Sequence, residues 1–261
     1  MFHGSDAVLV KGITLNVKDL EKMTVFYDSI IGLTVINKTE NQTVFEIGQS
    51  GHTITLNLLK EGRQPSMREA GLFHIALLLP TTADLADFLI HASKLNVPLG
   101  AGDHIVSEAL YLNDPEGNGI EVYRDRDSRN WNWNDGNVQM DTHEVNAEAL
   151  IEQASAEGWN GMPHGAIIGH LHLKTNDIDA SKSFYLNTLS LNPVVCNFPN
   201  ALFMSTKNYH HHIAINTWQS NKPREESDNS YGLANIMIQQ PNVETKVVTS
   251  PDGLRFEINP A

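Results

Sequence analysis

The chain has a single cysteine, Cys196, among 261 residues, which excludes an internal disulfide and fits a reducing compartment. It has no apolar run approaching the roughly 18 residues of a membrane span. Its N-terminus, "MFHGSDAVLV", lacks a basic segment followed by an apolar one. A cytoplasmic protein is expected. Basic residues are also scarce: 18 Lys and Arg stand against 31 Asp and Glu, for a net charge of −13. With no Lys/Arg cluster to neutralise phosphates, nucleic acid and anionic membrane are poor partners. What the chain does have is histidine, 12 in all. Imidazole is the commonest metal ligand and titrates near neutrality. His3, His91 and His143 stand apart from other chemistry-bearing residues and read as surface or capped side chains.

A repeat organises the sequence. Residues 10–27, "VKGITLNVKDLEKMTVFY", and 168–185, "IGHLHLKTNDIDASKSFY", each read as an alternating strand, an Asp before a helix, and "FY" inside it. Three strands follow each, so the unit is β-α-β-β-β. Residues 71–125 form a further copy closed by the turn "DPEGNG". Residues 232–258 form a shortened fourth copy with no room for the helix. The expected fold is α+β, with four modules in two pairs, each pair an open half-barrel. Domain boundaries follow: residues 1–126 (modules 8–60 and 71–125), a linker with a helix at 127–165, and residues 166–261 (modules 167–219 and 232–258). Trp131 and Trp133 are expected to cover the seam between domains.

The tandem modules, "GHLHL" at 169–173 and "DHIVSEALYLNDPEGNGIEVYRDR" at 103–126 together resemble the vicinal oxygen chelate superfamily, which includes glyoxalases, bleomycin resistance proteins and extradiol dioxygenases. The resemblance covers nearly the whole chain and is strongest to two-domain proteins of the catechol 2,3-dioxygenase type. It implies a divalent metal, iron(II) or in some cases manganese(II), held in the C-terminal pair by two His and one Glu. Such a donor set leaves coordination positions open for a catecholate and dioxygen.

Carried over residue by residue, the resemblance makes His170 the first ligand and Glu257 the carboxylate. Asn235 stands where the second His is expected, a departure from the pattern. His170 and His172 share one strand face, which makes His172 a further candidate in the cavity. The resemblance places an acid/base His in the stretch "YHHHIAIN" (209–216). Strand alternation favours His212, and a bulge would bring in His211 instead; either could also replace the missing ligand. Tyr209 and Arg255 are expected to hold substrate. His74 and Glu121 occupy the ligand positions of the second module, opposite Gly12 in the first, and with His104 are candidates for a second site.

The expected activity is metal-dependent extradiol cleavage of a catechol-like aromatic by dioxygen. Two alternatives stand beside it: a degenerate protein that binds a small aromatic or an antibiotic without turnover, and a glyoxalase-like lyase. The helix missing from the fourth module would expose a sheet face, which suggests a homodimer.

Overall fold

The computed structural model describes residues 1–261. The first module opens with β1 (Leu9–Val17), whose Ile13, Leu15 and Val17 are buried on one face. Two residues beyond the strand, Asp19 caps α1 (Leu20–Val25), its carboxylate accepting from the Lys22 N–H at 3.0 Å. The helix widens into a π turn over Phe26–Ile30. There Tyr27 is buried and donates its hydroxyl to Asp114 at 3.0 Å. β2 (Thr34–Lys38), β3 (Gln42–Ile47) and β4 (His52–Leu58) complete the unit.

The second module runs β5 (Gly71–Leu78), α2 (Thr82–Lys94), β6 (Gly100–Asp103), β7 (Ser107–Asn113) and β8 (Gly119–Asp125). Thr81 and Asp84 form a capping box at the start of α2. The linker holds a small hairpin, β9 (Trp133–Asn134) with β10 (Asn137–Val138), and a helix of little more than a turn, α3 (Ala147–Ile151). The third module is β11 (Ile167–Lys174), α4 (Ile178–Asn187), β12 (Asn192–Val195), β13 (Ala201–Ser205) and β14 (Ile213–Asn216). The fourth is β15 (Gly232–Gln240), β16 (Lys246–Thr249) and β17 (Arg255–Pro260), with the helix missing as expected. No helix is long and apolar enough to cross a membrane.

The modules pair, but not with their neighbours in sequence. A seven-stranded sheet in the order β16-β17-β15-β1-β4-β3-β2 joins the first module to the fourth. An eight-stranded sheet in the order β12-β13-β14-β11-β5-β8-β7-β6 joins the second to the third. Each seam is an antiparallel pairing of the modules' first strands, β1 with β15 and β5 with β11. The long connection after β8 lets β11 return beside β5, aligning His172 with His74 and Lys174 with Gly71. Alternation then sorts the side chains. Leu171, Leu173, Ile213 and Ile215 enter one apolar cluster of 44 buried residues, together with Ile13, Leu15, Phe256 and Ile258 of the other sheet. Each such side chain contributes about 1.5–3 kcal/mol through removal from water. Because both sheets share this cluster, a boundary at 127–165 does not separate two cores.

The opposite faces curl inward. In the eight-stranded sheet that concave face carries His74, Ala76, Glu121, His170 and His172, all buried. Its far end is closed by a second cluster containing Trp131, Phe203, Tyr209 and Ala214. Trp131 thus caps the half-barrel, stacked on Phe2 at 5.3 Å between ring centroids, rather than covering a seam between domains.

Candidate metal centre

Three ligand atoms converge on the concave face of the eight-stranded sheet. His74, Glu121 and His170 each direct one donor atom to a common point, all within 4.8 Å of one another and all buried. The strands explain the convergence: His74 lies on β5, Glu121 on the parallel neighbour β8, and His170 on the antiparallel neighbour β11. Glu121 Oε2 lies 2.8 Å from His74 Nε2 and 3.1 Å from His170 Nε2. His74 Nε2 is buried yet not aligned for a hydrogen bond, despite its closeness to the carboxylate. A buried ring nitrogen without a hydrogen-bond partner is costly, and a metal ion at this point would satisfy it. Two neutral imidazoles and one carboxylate are a donor set for a first-row divalent metal, and these residues fit one.

The electrostatics agree. Burial alone would push the Glu121 carboxyl up, but His170 and His74 outweigh it and hold the group well below the usual carboxylate range. Burial lowers His170 to about 4, against the opposing pull of Glu121. Metal binding takes the carboxylate ionised and the imidazole neutral, so loading this cluster would release any proton the pair shares.

A cavity of about 300 Å³ opens over the cluster. Phe73, Phe198, Phe203 and Trp218 form its apolar walls, and Met140 to Thr142 of the linker lie across it. On one side Tyr111 shares a hydrogen bond with His104 Nε2 at 2.5 Å. On another, Asn216 Nδ2 donates to His172 Nε2 at 2.9 Å, so that the His172 ring carries its proton on Nδ1.

The histidine run resolves into three different environments. β14 begins only at Ile213, so strict alternation does not extend back over residues 210–212. His212 turns away from the cavity. Its Nδ1 accepts from the Thr206 N–H at 3.2 Å and its Nε2 donates to the Phe2 carbonyl at 3.1 Å. His211 lines the cavity, its ring 4.0 Å from that of His170. Its Nδ1 lies 2.7 Å from His210 Nδ1, and His210 Nε2 lies 2.8 Å from Asp125. With the His210 Nε2–H given to Asp125, His210 Nδ1 accepts from His211, which leaves a lone pair on His211 Nε2. Burial holds His211 well below the ordinary imidazole range, so that lone pair is free near pH 7.

Several expected residues lie elsewhere. Glu257 is on β17 of the other sheet, half-buried, and accepts from Asn259 at 2.9 Å. Asn235 lies on β15 of that sheet, opposite Thr14. Arg255 is exposed and paired with Asp228 at 3.4 Å. Tyr209 is fully buried behind the cavity, its hydroxyl 2.7 Å from that of Tyr123. The second-site pair His74 and Glu121 and the ligand candidate His170 are thus parts of one site. Aligning the modules places Gly12, Asn235 and Glu257 at the counterparts of His170, His74 and Glu121. The seven-stranded sheet therefore keeps one of three donors. That alignment was the signal available beforehand, because only the second and third modules together complete the set. Tyr111, Phe73, Trp218 and the Asp125–His210 pair carried no such signal.

Comparison with known proteins agrees with this architecture. The family described as glyoxalase/bleomycin resistance protein/dioxygenase superfamily matches residues 10–122. The chain is 37% identical over 237 residues to catechol-2,3-dioxygenase of Bacillus subtilis, covering 88% of this chain and 82% of that protein. It is 28% identical over 114 residues to biphenyl-2,3-diol 1,2-dioxygenase 3 of Rhodococcus globerulus, covering 42% and 60%. Among solved structures, one of a Bacillus subtilis protein superposes with a TM-score of 0.65 at 14% identity, covering 98% of this chain and 86% of that one. Glyoxalase I of Zea mays superposes with a TM-score of 0.58 at 11% identity, covering 96% and 92%. At such identities the structures attest the fold alone, whereas the Bacillus subtilis sequence spans both sheets and the candidate centre. The chain belongs to the glyoxalase/bleomycin resistance protein/dioxygenase superfamily.

Proposed function

We propose that the protein is an extradiol-type dioxygenase that cleaves a catechol-like aromatic with dioxygen. The observation that carries this reading is the buried His74, Glu121 and His170 cluster at the floor of an aromatic-walled cavity. The relative named catechol-2,3-dioxygenase supports the substrate class. The metal is iron(II), because two imidazoles and one carboxylate with open positions are the arrangement of non-haem iron(II) oxygenases. When bound, it supplies the adjacent sites at which catecholate and dioxygen meet.

The protein's own residues do the rest. Phe73, Phe203 and Trp218 pack against the faces and edge of the ring and exclude water from it. His211 Nε2 takes a proton from a catechol hydroxyl and later returns it; His210 and Asp125 hold its ring in the tautomer that allows this. Tyr111, tied to His104, offers a hydroxyl on the opposite side.

The test is metal analysis together with catechol turnover, on protein purified without a histidine tag or chelator. Iron retention with formation of a yellow ring-cleavage product, both lost in His170→Ala, is the expected result. A protein that takes up iron(II) anaerobically but leaves every catechol tried unchanged would overturn the reading.

A further inference from the structure

A larger cleft, about 890 Å³, adjoins the metal cavity; Phe73, His74 and Tyr111 line both. It lies where β5 begins, β11 ends and the two sheets meet. Lys18, Lys174 and Arg224 line it together with the carboxylates of Glu69 and Glu116, and neither Lys174 nor Arg224 makes an ion pair. Arg224 is buried, 9% exposed. Its Nη2 donates to the carbonyls of Tyr231 at 2.7 Å and Leu233 at 3.2 Å, which fixes the guanidinium plane. Its Nε is buried with no partner, and its Nη1 makes no hydrogen bond and points toward Gly71, where any side chain would narrow the gap. Lys174 is the cross-strand partner of Gly71 and donates only to the Met67 carbonyl at 3.3 Å. Burial lowers both groups; the Glu69 carboxylate opposes this at each of them, while Arg224 adds to the lowering at Lys174 and Arg63 to that at Arg224, which still stays charged at neutral pH, lowered only to about 10.

The neighbouring carboxylates are already engaged. Glu69 is held by Arg63 through both oxygens at 2.8 and 2.7 Å and by the Ser66 N–H at 2.9 Å. Glu116 accepts the backbone N–H groups of Lys18 and Asp19. Lys18 itself donates to Gln64 at 2.6 Å and sits over the Tyr231 ring. Glu69 is thus spent mainly on Arg63, and Lys174 and Arg224, which line the same cleft, give their own hydrogen bonds only to backbone carbonyls, so a further anion entering the cleft would meet two cations with donors to spare.

Position relates this cleft to the chemistry. His170, His172 and Lys174 alternate along one face of β11, so Lys174 lies roughly 13 Å along the strand from the metal ligand, at about 3.3 Å per residue. A ring seated on the metal would extend a side chain of a few carbons to Lys174 and Arg224. We infer that the cleft binds a carboxylate on that side chain, so that the substrate is a catechol carrying an acidic alkyl substituent rather than an uncharged one. The inference rests on the dioxygenase reading for the catechol and on the cleft alone for the carboxylate.

The two parts separate experimentally. Iron-loaded wild type, Lys174→Gln and Arg224→Lys are assayed with carboxyalkyl catechols and the matching amides. In parallel, thermal shifts are read with 5-phenylpentanoate and its amide, which cannot be cleaved. The wild type should prefer the acid over the amide by about tenfold or more in kcat/KM, as expected for charge-assisted hydrogen bonds, and lose that preference in Lys174→Gln. 5-Phenylpentanoate should raise the melting temperature more than its amide does, and Lys174→Gln should remove the difference even where Arg224→Lys folds poorly. Equal shifts with acid and amide would overturn the carboxylate site, whatever happens to catechol. Discrimination of the acid with no cleavage of any catechol would leave the site standing and sink the dioxygenase reading instead.

Discussion

At the scale of single residues, neighbouring histidines do different work because their surroundings differ. His211 and His212 are adjacent and both buried, yet one faces the cavity and the other is held by Thr206 and Phe2 at both ring nitrogens. Substitution should separate them. His211→Gln should keep its iron and its melting temperature near wild type while kcat falls by about a hundredfold or more, the usual scale for a lost acid/base group. His212→Ala should keep kcat per folded molecule and lose about 1–3 kcal/mol of stability, because buried donors and acceptors lose their partner. Steady-state kinetics beside urea unfolding decide it; a His212→Ala protein that folds normally but has lost turnover would reverse the assignment. The identity of the imidazole-rich segment was legible in the sequence. Which ring enters the cavity was not, because the chain leaves extended geometry just before β14.

At the scale of elements, the centre depends on how closely β11 and β5 approach. Gly169 sits between Ile168 and His170 at a register shift in that pairing. A Cβ there would overlap the Tyr123 hydroxyl and stand 2.9 Å from the Leu78 Cβ. The Tyr123 ring lies 4.8 Å from that of His170 and its hydroxyl 2.7 Å from that of Tyr209, so it has little room to yield. Gly169→Ala should cost about 1–3 kcal/mol through overpacking and weaken metal retention by tilting His170. Chemical denaturation and metal titration of the variant test this, and unchanged iron affinity would show that the seam is more compliant than its packing implies. The elements themselves follow from local signals: Asp19 and Asp177 cap their helices, and "DPEGNG" turns between β7 and β8.

At the scale of the whole molecule, the two sheets are unequal partners around one core. The seven-stranded sheet keeps Glu257 but has Gly12 and Asn235 in place of two histidines, so a single equivalent of metal is expected. Glu257→Gln should leave metal content and turnover as they were, whereas Glu121→Gln should abolish both; loss of metal in Glu257→Gln would restore the C-terminal ligand set expected from the resemblance. The shared core also predicts acid lability. Burial, with Lys11 nearby, lowers His52 from 6.5 to about 3, and its Nδ1 accepts the Ile168 N–H at 3.3 Å across the sheets. The folded state therefore keeps His52 neutral while the unfolded chain takes up a proton below about pH 6.5. The stability from this group is complete above that pH and is lost as pH falls toward 3, by at most about 1.4 kcal/mol per pH unit. Urea midpoints between pH 7 and 5 should fall less steeply in His52→Gln than in the wild type, and parallel slopes would remove His52 from the account.

The repeated module, the missing fourth helix, the family and the kinds of residue that build the centre are properties of the linear chain. Periodicity and capping act within a few residues of one another, so they can be read along the chain. Tertiary structure alone decided which modules share a sheet, and with that which ligands meet. Strand pairing depends on long connections returning to form a common core, and no local pattern specifies which partner they reach. Once β11 lies against β5, His74, Glu121 and His170 become one site, and Glu257 is left on the other sheet.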